Sequence, residues 1–160
     1  MSRAFVKEND GSDFAESLPD RPVSTNPNYV TQRGLRLIDV EIERLRHALA
    51  EAQAAKERAE LARVSRDLRY WVTRRGTAQL IAPSEQGDLV GFGSRVTYET
   101  EDGASRSLRI VGEDEADPAE GRVSWCAPIA QALAGNRVGD LVELPGGEVE
   151  ITVVEQRPEA

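Results

Sequence analysis

Apolar residues at alternating steps of three and four, in two stretches of the first half of the chain, constrain the fold most. This spacing is typical of the narrow seam of a coiled-coil helix. A polar, alanine-rich stretch over residues 50–57 separates the two. Thr31 can cap the first helix and Gly76 can end the second. Two such segments joined by a polar stretch suggest an antiparallel helical hairpin over residues 31–76. The seam positions are Leu35, Ile38, Ile42, Leu45 and Leu49, then Leu61, Val64, Leu68 and Trp71.

The position of the hairpin turn is the open point of this prediction. The polar stretch places the turn near Gln53–Lys56, but no glycine or proline marks it. One continuous helix of about 45 residues would use the same seam to form a dimer. That dimer is the structural alternative to a monomeric hairpin.

Beyond Pro83 the apolar period shortens to two and turn residues become frequent, which indicates strands. Asp102-Gly103 is typical of a β-hairpin turn. Residues 128–133 form a predicted short helix with a proline in its first turn. The predicted fold is therefore α+β, a helical hairpin followed by a small antiparallel sheet with one short helix. The predicted strands are residues 95–99, 108–111, 123–125 and 149–153.

Composition divides the chain into four parts. Residues 1–30 are rich in proline, serine and acids and poor in large apolar residues, so we predict an extended, disordered arm. The hairpin follows, then a linker over 77–87 and a C-terminal domain over 88–160. The net charge of −8 is uneven: residues 1–30 carry −2, the hairpin +4 and residues 77–160 carry −10. This acidic bulk argues against direct sequence-specific binding of nucleic acid.

Residue counts exclude several further classes. A single cysteine, Cys126, and a single histidine, His47, exclude a disulfide framework and a thiolate or histidine metal cluster. We therefore expect no metal site built from cysteine or histidine ligands. The chain has no apolar run of about 20 residues and no apolar signal stretch near residue 1, so we expect a cytoplasmic protein without a membrane segment. The acidic residues within 113–117 lack the spacing of a calcium loop and are predicted to lie in a solvated loop.

Several motifs occur in order along the chain and together resemble the bacterial Gre transcription factor family (GreA/GreB). The resemblance covers about residues 29–157, and its second half is the more specific. The motifs are YVTQRG (29–34), RIVGEDEAD (109–117) with Val123-Ser124, APIAQALAG (127–135), VGD (138–140) and PGGEVE (145–150).

The resemblance implies a two-part design. A C-terminal domain of FKBP-like fold would dock on RNA polymerase at the rim of its secondary channel, and the antiparallel coiled coil would enter that channel. In the family, acidic residues at the coiled-coil tip help to hold a magnesium ion, so that the polymerase cleaves its own backtracked transcript. In the family the chemistry belongs to the polymerase. The resemblance therefore implies no catalytic residue, no metal and no cofactor held by this chain, and we do not expect an enzyme.

The resemblance also assigns candidate site residues. The segment around the proline of the short helix would contact the polymerase, which corresponds here to Cys126, Pro128, Ile129 and Leu133. The tip motif of cleavage factors, Gly-Asp-x-x-Glu-Asn-x-x-Tyr, is absent from residues 32–76. The coiled coil is interpreted as shortened, with Glu51, Lys56 and Glu57 near its tip.

The sequence thus favours a monomeric, Gre-like elongation regulator that binds RNA polymerase at its secondary channel without stimulating cleavage. The first alternative is an active cleavage factor in which Glu51 or Glu57 replaces the lost tip acids. A peptidyl-prolyl isomerase is disfavoured, because residues 88–160 offer only Phe92, Tyr98 and Trp125 to line its pocket. The last alternative is a purely structural dimer through one long helix.

Overall fold

The computed structural model describes residues 18–159. These residues form two compact units. The hairpin unit comprises residues 18–25 and 38–76, and the sheet unit comprises residues 26–37 and 77–159. Within the described residues, no helix has the length and apolar character needed to cross a membrane. The part of the predicted arm before residue 18 lies outside the described residues.

Two helices form the hairpin, α1 (Gln32–Ala55) and α2 (Arg58–Thr77). They run antiparallel, because Asp39 near the start of α1 accepts a hydrogen bond of 2.6 Å from Arg75 near the end of α2. The predicted cap is present at Thr31, whose Oγ1 accepts a bond of 2.9 Å from the Gly34 amide. Seam residues and two alanines pack inside the hairpin unit. The buried apolar residues there are Ile38, Ile42, Leu45, Ala52, Ala62 and Val64.

The chain reverses at Lys56, whose φ of 55° lies in the left-handed region. The Glu57 amide donates to the Ala52 carbonyl at 3.1 Å, which closes the end of α1 before α2 begins. This break shows that the alternative of one continuous helix through residues 31–75 is wrong. The reversal lies within the predicted range Gln53–Lys56, but a non-glycine residue takes the position that a helix C-terminus usually gives to glycine.

Residues 18–25 lie along α2, although they form neither helix nor strand. Asp20 accepts a bond of 2.7 Å from Arg69. The Arg21 guanidinium lies 3.9 Å from the centre of the Tyr70 ring. It also lies 3.7 Å from the carboxylate of Asp67. The prediction of a disordered arm is therefore wrong for these residues, because a cation–π contact and two ion pairs hold a segment that buries little apolar surface.

The sheet unit is built around a five-stranded sheet in the order β5-β4-β3-β7-β6. The α+β fold is as predicted, but among the described strands β4 and β5 pair in parallel, so the sheet is mixed. Sequence reasoning found four of these strands and missed β6. The strands are β3 (Arg95–Thr100), β4 (Ser105–Val111), β5 (Arg122–Ser124), β6 (Leu141–Leu144) and β7 (Gly147–Glu155).

One face of the sheet carries the core and supports the short helix α3 (Pro128–Leu133), which has the predicted bounds. A short 3₁₀ turn, Pro118–Glu120, precedes β5. The core is aliphatic apart from Tyr98, as the low aromatic content requires. The buried core residues are Val90, Val96, Tyr98, Leu108, Ile110, Ala130, Leu133, Val142, Leu144, Val149 and Ile151.

A second, two-stranded parallel sheet joins β1 (Tyr29–Val30) to β2 (Gln79–Leu80). The first strand lies in the predicted arm and the second in the predicted linker, so both of those interpretations are corrected here. The Tyr29 ring packs 5.0 Å from Trp125. Gly112 lets this strand approach, because a Cβ at Gly112 would stand 2.4 Å from the Tyr29 carbonyl oxygen.

Candidate functional site

Helix α3 and the loop before it form the first candidate site. Ala127 has extended dihedral angles and Pro128 occupies the first turn, where its missing N–H costs no hydrogen bond. Ala130 and Leu133 point into the core, which fixes the orientation of this short helix. Pro128 is consequently exposed, and Ile129 is half-buried against the core.

Leu133 cannot act as a contact residue. Its side chain is 0% exposed, so the prediction that it docks directly is wrong. Leu133 lies five residues after Pro128, about 140° around the helix axis, and therefore on the face opposite to the exposed proline. Leu133 instead anchors the helix on which Pro128 and Ile129 are presented.

Cys126 belongs to a polar network at the base of α3. Its Sγ lies 2.9 Å from the Ser124 hydroxyl and donates to Glu113 Oε1 at 3.4 Å. The same Glu113 oxygen accepts a bond of 3.1 Å from the Asn26 side-chain amide. The network ties the segment before β1 to the loop that carries Pro128. Sequence reasoning identified Cys126 but missed Glu113 and Asn26, which lie 87 residues apart.

The acidic stretch over 113–117 is not the solvated loop that the sequence predicted. Glu115 is buried, with 7% of its surface exposed. It accepts hydrogen bonds from the Thr31 hydroxyl at 2.5 Å and from Arg33 Nη1 at 3.1 Å. A carboxylate this deeply buried needs such partners to offset its desolvation. Glu115 therefore fixes the position of the first turn of α1 within the sheet unit.

An open groove of about 590 Å³ lies beside α3. Its floor includes Ile129, Leu144 and Val149, and its rim carries acidic side chains, among them Asp102 and Glu148. An apolar floor with an acidic rim is suited to a protein segment that presents apolar and basic side chains together.

The hairpin tip forms the second candidate site. Glu51, Lys56 and Glu57 are all exposed there, as their predicted position requires. Glu60, one turn into α2, is held by a two-pronged contact with Arg63, and this hydrogen bonding lowers the pKa of Glu60 below its ordinary value. Between residues 18 and 159, no three His, Cys, Asp or Glu side chains group closely enough to hold a metal ion.

Fold and site together define a class of protein in which a helical hairpin is followed by a sheet domain. The sheet domain carries a short helix that begins with a proline and lies beside a groove. Residues 85–157 match the family described as transcription elongation factor, GreA/GreB, C-term. Two curated relatives extend the match into the hairpin. Transcription elongation factor GreB of Yersinia pestis is 32% identical over 151 residues, covering 81% of this chain and 88% of that protein. Transcription elongation factor GreA of Alkalilimnicola ehrlichii is 41% identical over 139 residues, covering 76% and 87%.

The chain belongs to the GreA/GreB family and is a transcription elongation factor of that type. A solved structure, GreA factor homolog 1 (Gfh1) of Thermus thermophilus, is 24% identical to it and covers 81% of this chain and 99% of that one. The TM-score of this match is 0.39.

Proposed function

We propose that this chain binds RNA polymerase through the surface around α3 and that its helical hairpin occupies the secondary channel of the polymerase. The chain acts as a monomer in the cytoplasm and contributes no catalytic residue of its own. It regulates elongation by occupying the channel and does not stimulate transcript cleavage.

The observation that carries the proposal is the exposed Pro128, set beside a half-buried Ile129 and an apolar-floored groove. Contacts that matter most in an interface are usually apolar anchors surrounded by a polar rim. Ile129 supplies such an anchor, since its side chain lines the groove. The acidic rim of the groove favours a polymerase segment with basic side chains.

The hairpin supplies the second part of the proposal. Helices of 24 and 20 residues extend about 36 and 30 Å at the standard rise. The net charge of +4 over residues 31–76 favours entry into a channel that ends at an acidic, metal-binding catalytic centre.

The acidic residues at the hairpin tip support a role without stimulation of transcript cleavage. Of its acids, Glu60 is already paired with Arg63, while Glu51 and Glu57 are exposed side chains on either side of the turn. A catalytic carboxylate has to be positioned closely, since a displacement of about 1 Å can cost roughly a hundredfold in rate. The exposure of Glu51 and Glu57 also supports the alternative function, in which one of them reaches the catalytic metal and cleavage is stimulated.

Binding to core RNA polymerase tests the docking surface. The double variant Pro128→Ala with Ile129→Asp should weaken binding by roughly 30-fold or more, as expected when a central apolar anchor is lost. Gln131→Ala is the matched control, because Gln131 is exposed on the same helix. Pro128→Ala alone, and the fluorescence of Trp125 in a Trp71→Phe background, check that the unit remains folded. Binding of the double variant at the wild-type level contradicts the assignment.

A further inference from the structure

Three arginines from three elements of the sheet unit converge on the carboxylate of Glu159. Arg122 of β5 donates from Nη2 to both Glu159 oxygens, at 3.0 and 3.2 Å. Arg109 of β4 lies 3.7 Å away through its Nε. Arg33 in the first turn of α1 lies 4.0 Å away, also through Nε. The chain thus places one of its own carboxylates in an arginine site.

The arginines offer more N–H donors than this carboxylate uses. The Nε of Arg122 is buried and has no hydrogen-bond partner. The Nε atoms of Arg109 and Arg33 lie beyond hydrogen-bonding distance of Glu159. A planar carboxylate has two oxygens, whereas a phosphate group has three or four and can accept from several guanidinium groups at once. The donor set therefore fits a phosphate group better than it fits Glu159.

Two of the three guanidinium groups, those of Arg109 and Arg33, also have partners other than Glu159. Arg109 Nη1 donates to the carbonyl oxygens of Gly93 and Arg157, at 3.0 and 3.1 Å. Arg33 Nη1 donates to the buried Glu115 at 3.1 Å. Displacement of Glu159 would therefore leave Arg109 and Arg33 in position and release Arg122 from its carboxylate partner. The three arginines and the Glu115 carboxylate together carry a net charge of +2. Two of these arginines, Arg109 and Arg122, lie within residues 77–160, a part of the chain that carries −10.

A cavity of about 260 Å³ adjoins Arg33, Arg109 and Glu159. Its other wall is apolar, formed by Leu80, Ile81 and Pro83 among others. The cavity is too small for a folded partner or a nucleic-acid duplex. It suits a small organic group attached to the phosphate.

We propose that Arg33, Arg109 and Arg122 form a binding site for the phosphate group of a small phosphorylated metabolite, and that Glu159 fills this site as an internal competitor. The phosphate takes the position of the Glu159 carboxylate, and the organic part lies against the apolar wall. Glu159 is one-third exposed, so it can leave without disrupting the core. This proposal is independent of polymerase binding.

Calorimetric titration of the full chain with phenyl phosphate and with inorganic phosphate tests the site. Phenyl phosphate should bind more tightly than inorganic phosphate, because only the former reaches the apolar wall. Glu159→Gln should bind phenyl phosphate about tenfold more tightly than the wild type. The reason is that the apparent affinity of the wild type is reduced to the fraction of molecules in which Glu159 has left the site. Arg122→Gln should lose this binding.

Arg137→Gln is the matched control, since Arg137 is an exposed arginine of the same unit, paired with Asp88 at 2.6 Å. It should bind as the wild type does. If Glu159 has a purely structural role, Glu159→Gln will be less stable than the wild type and will not bind phenyl phosphate. This result would overturn the proposal, and it does not depend on whether Arg122→Gln folds. An equal loss of phenyl phosphate binding in Arg122→Gln and Arg137→Gln would also overturn the proposal. So would single-stranded RNA that binds more tightly than phenyl phosphate and depends on Arg122.

Discussion

Substitution of Gly112 by alanine tests how the two-stranded sheet packs beside the end of β4 within the sheet unit. An added Cβ would lie 2.4 Å from the Tyr29 carbonyl oxygen and 3.7 Å from the Val30 Cα. These are backbone atoms, so β1 must move as a whole. Overpacking of this kind costs about 1–3 kcal/mol.

Movement of β1 also strains its hydrogen bonds to the segment around β2. The Gln79 amide donates to Asn28 at 2.8 Å, and the Ile81 amide donates to Val30 at 3.0 Å. Each such bond contributes about 0.5–1.5 kcal/mol. We therefore expect Gly112→Ala to lower the free energy of unfolding by about 2–4 kcal/mol.

Urea denaturation followed by tryptophan fluorescence measures this change. A Trp71→Phe background leaves Trp125, which packs against Tyr29, as the reporter of the sheet unit. Gly91→Ala is the matched control, because a Cβ there meets nothing within 4 Å. We expect the control to change stability by less than about 0.5 kcal/mol. Gly112→Ala would refute the reasoning if its stability matched that of the control.

Three further predictions concern the hairpin unit. Lys56→Gly should raise the free energy of unfolding by up to about 1 kcal/mol in thermal or urea unfolding, because glycine adopts the left-handed conformation without strain. Arg21→Ala should cost about 0.5–1 kcal/mol and speed hydrogen exchange of residues 18–25, because the contact with Tyr70 is lost. Hydrogen bonds from Arg44 hold the pKa of Glu41 below its ordinary 4.5, so the stability from this pair is present above pH 4.5 and lost as pH falls through the folded-state pKa. An NMR titration should show this low pKa, and Arg44→Gln should raise it.

Each of these predictions has a distinct contrary result. A destabilised Lys56→Gly protein would mean that the turn does not need a left-handed residue. Unchanged exchange in Arg21→Ala would mean that the segment is held by other contacts. An unchanged Glu41 pKa in Arg44→Gln would show that the guanidinium has no influence on that carboxyl.

Long, regular patterns made the helices and most strands predictable. The 3–4 spacing through Leu45 and Leu49 extends over several turns, and the helix at 128–133 is bounded by a proline and a glycine. Strand β7 alternates from Gly147 to Ile151, and the alternation breaks at Thr152, where its pairing with β3 shifts in register. In each case the signal is local, because side chains close in sequence share one face.

The parts that were missed depend on contacts between distant residues. Each strand of the β1–β2 pair has two residues, and the partners Tyr29 and Gln79 lie 50 positions apart. No periodicity can be detected in two residues. The burial of Glu115 likewise follows from Thr31 and Arg33, which lie more than 80 residues away. A local sequence pattern therefore finds the helix that begins at Pro128 but misses contacts between residues that lie far apart in the sequence.

Transcript cleavage in arrested elongation complexes, with binding to core polymerase recorded in parallel, tests the central claim most directly. The account predicts that the chain binds core polymerase and that cleavage stays at the rate seen without it. Binding accompanied by stimulated cleavage would contradict the proposed role and would assign Glu51 or Glu57 to the catalytic metal. Absence of binding would contradict the docking surface itself.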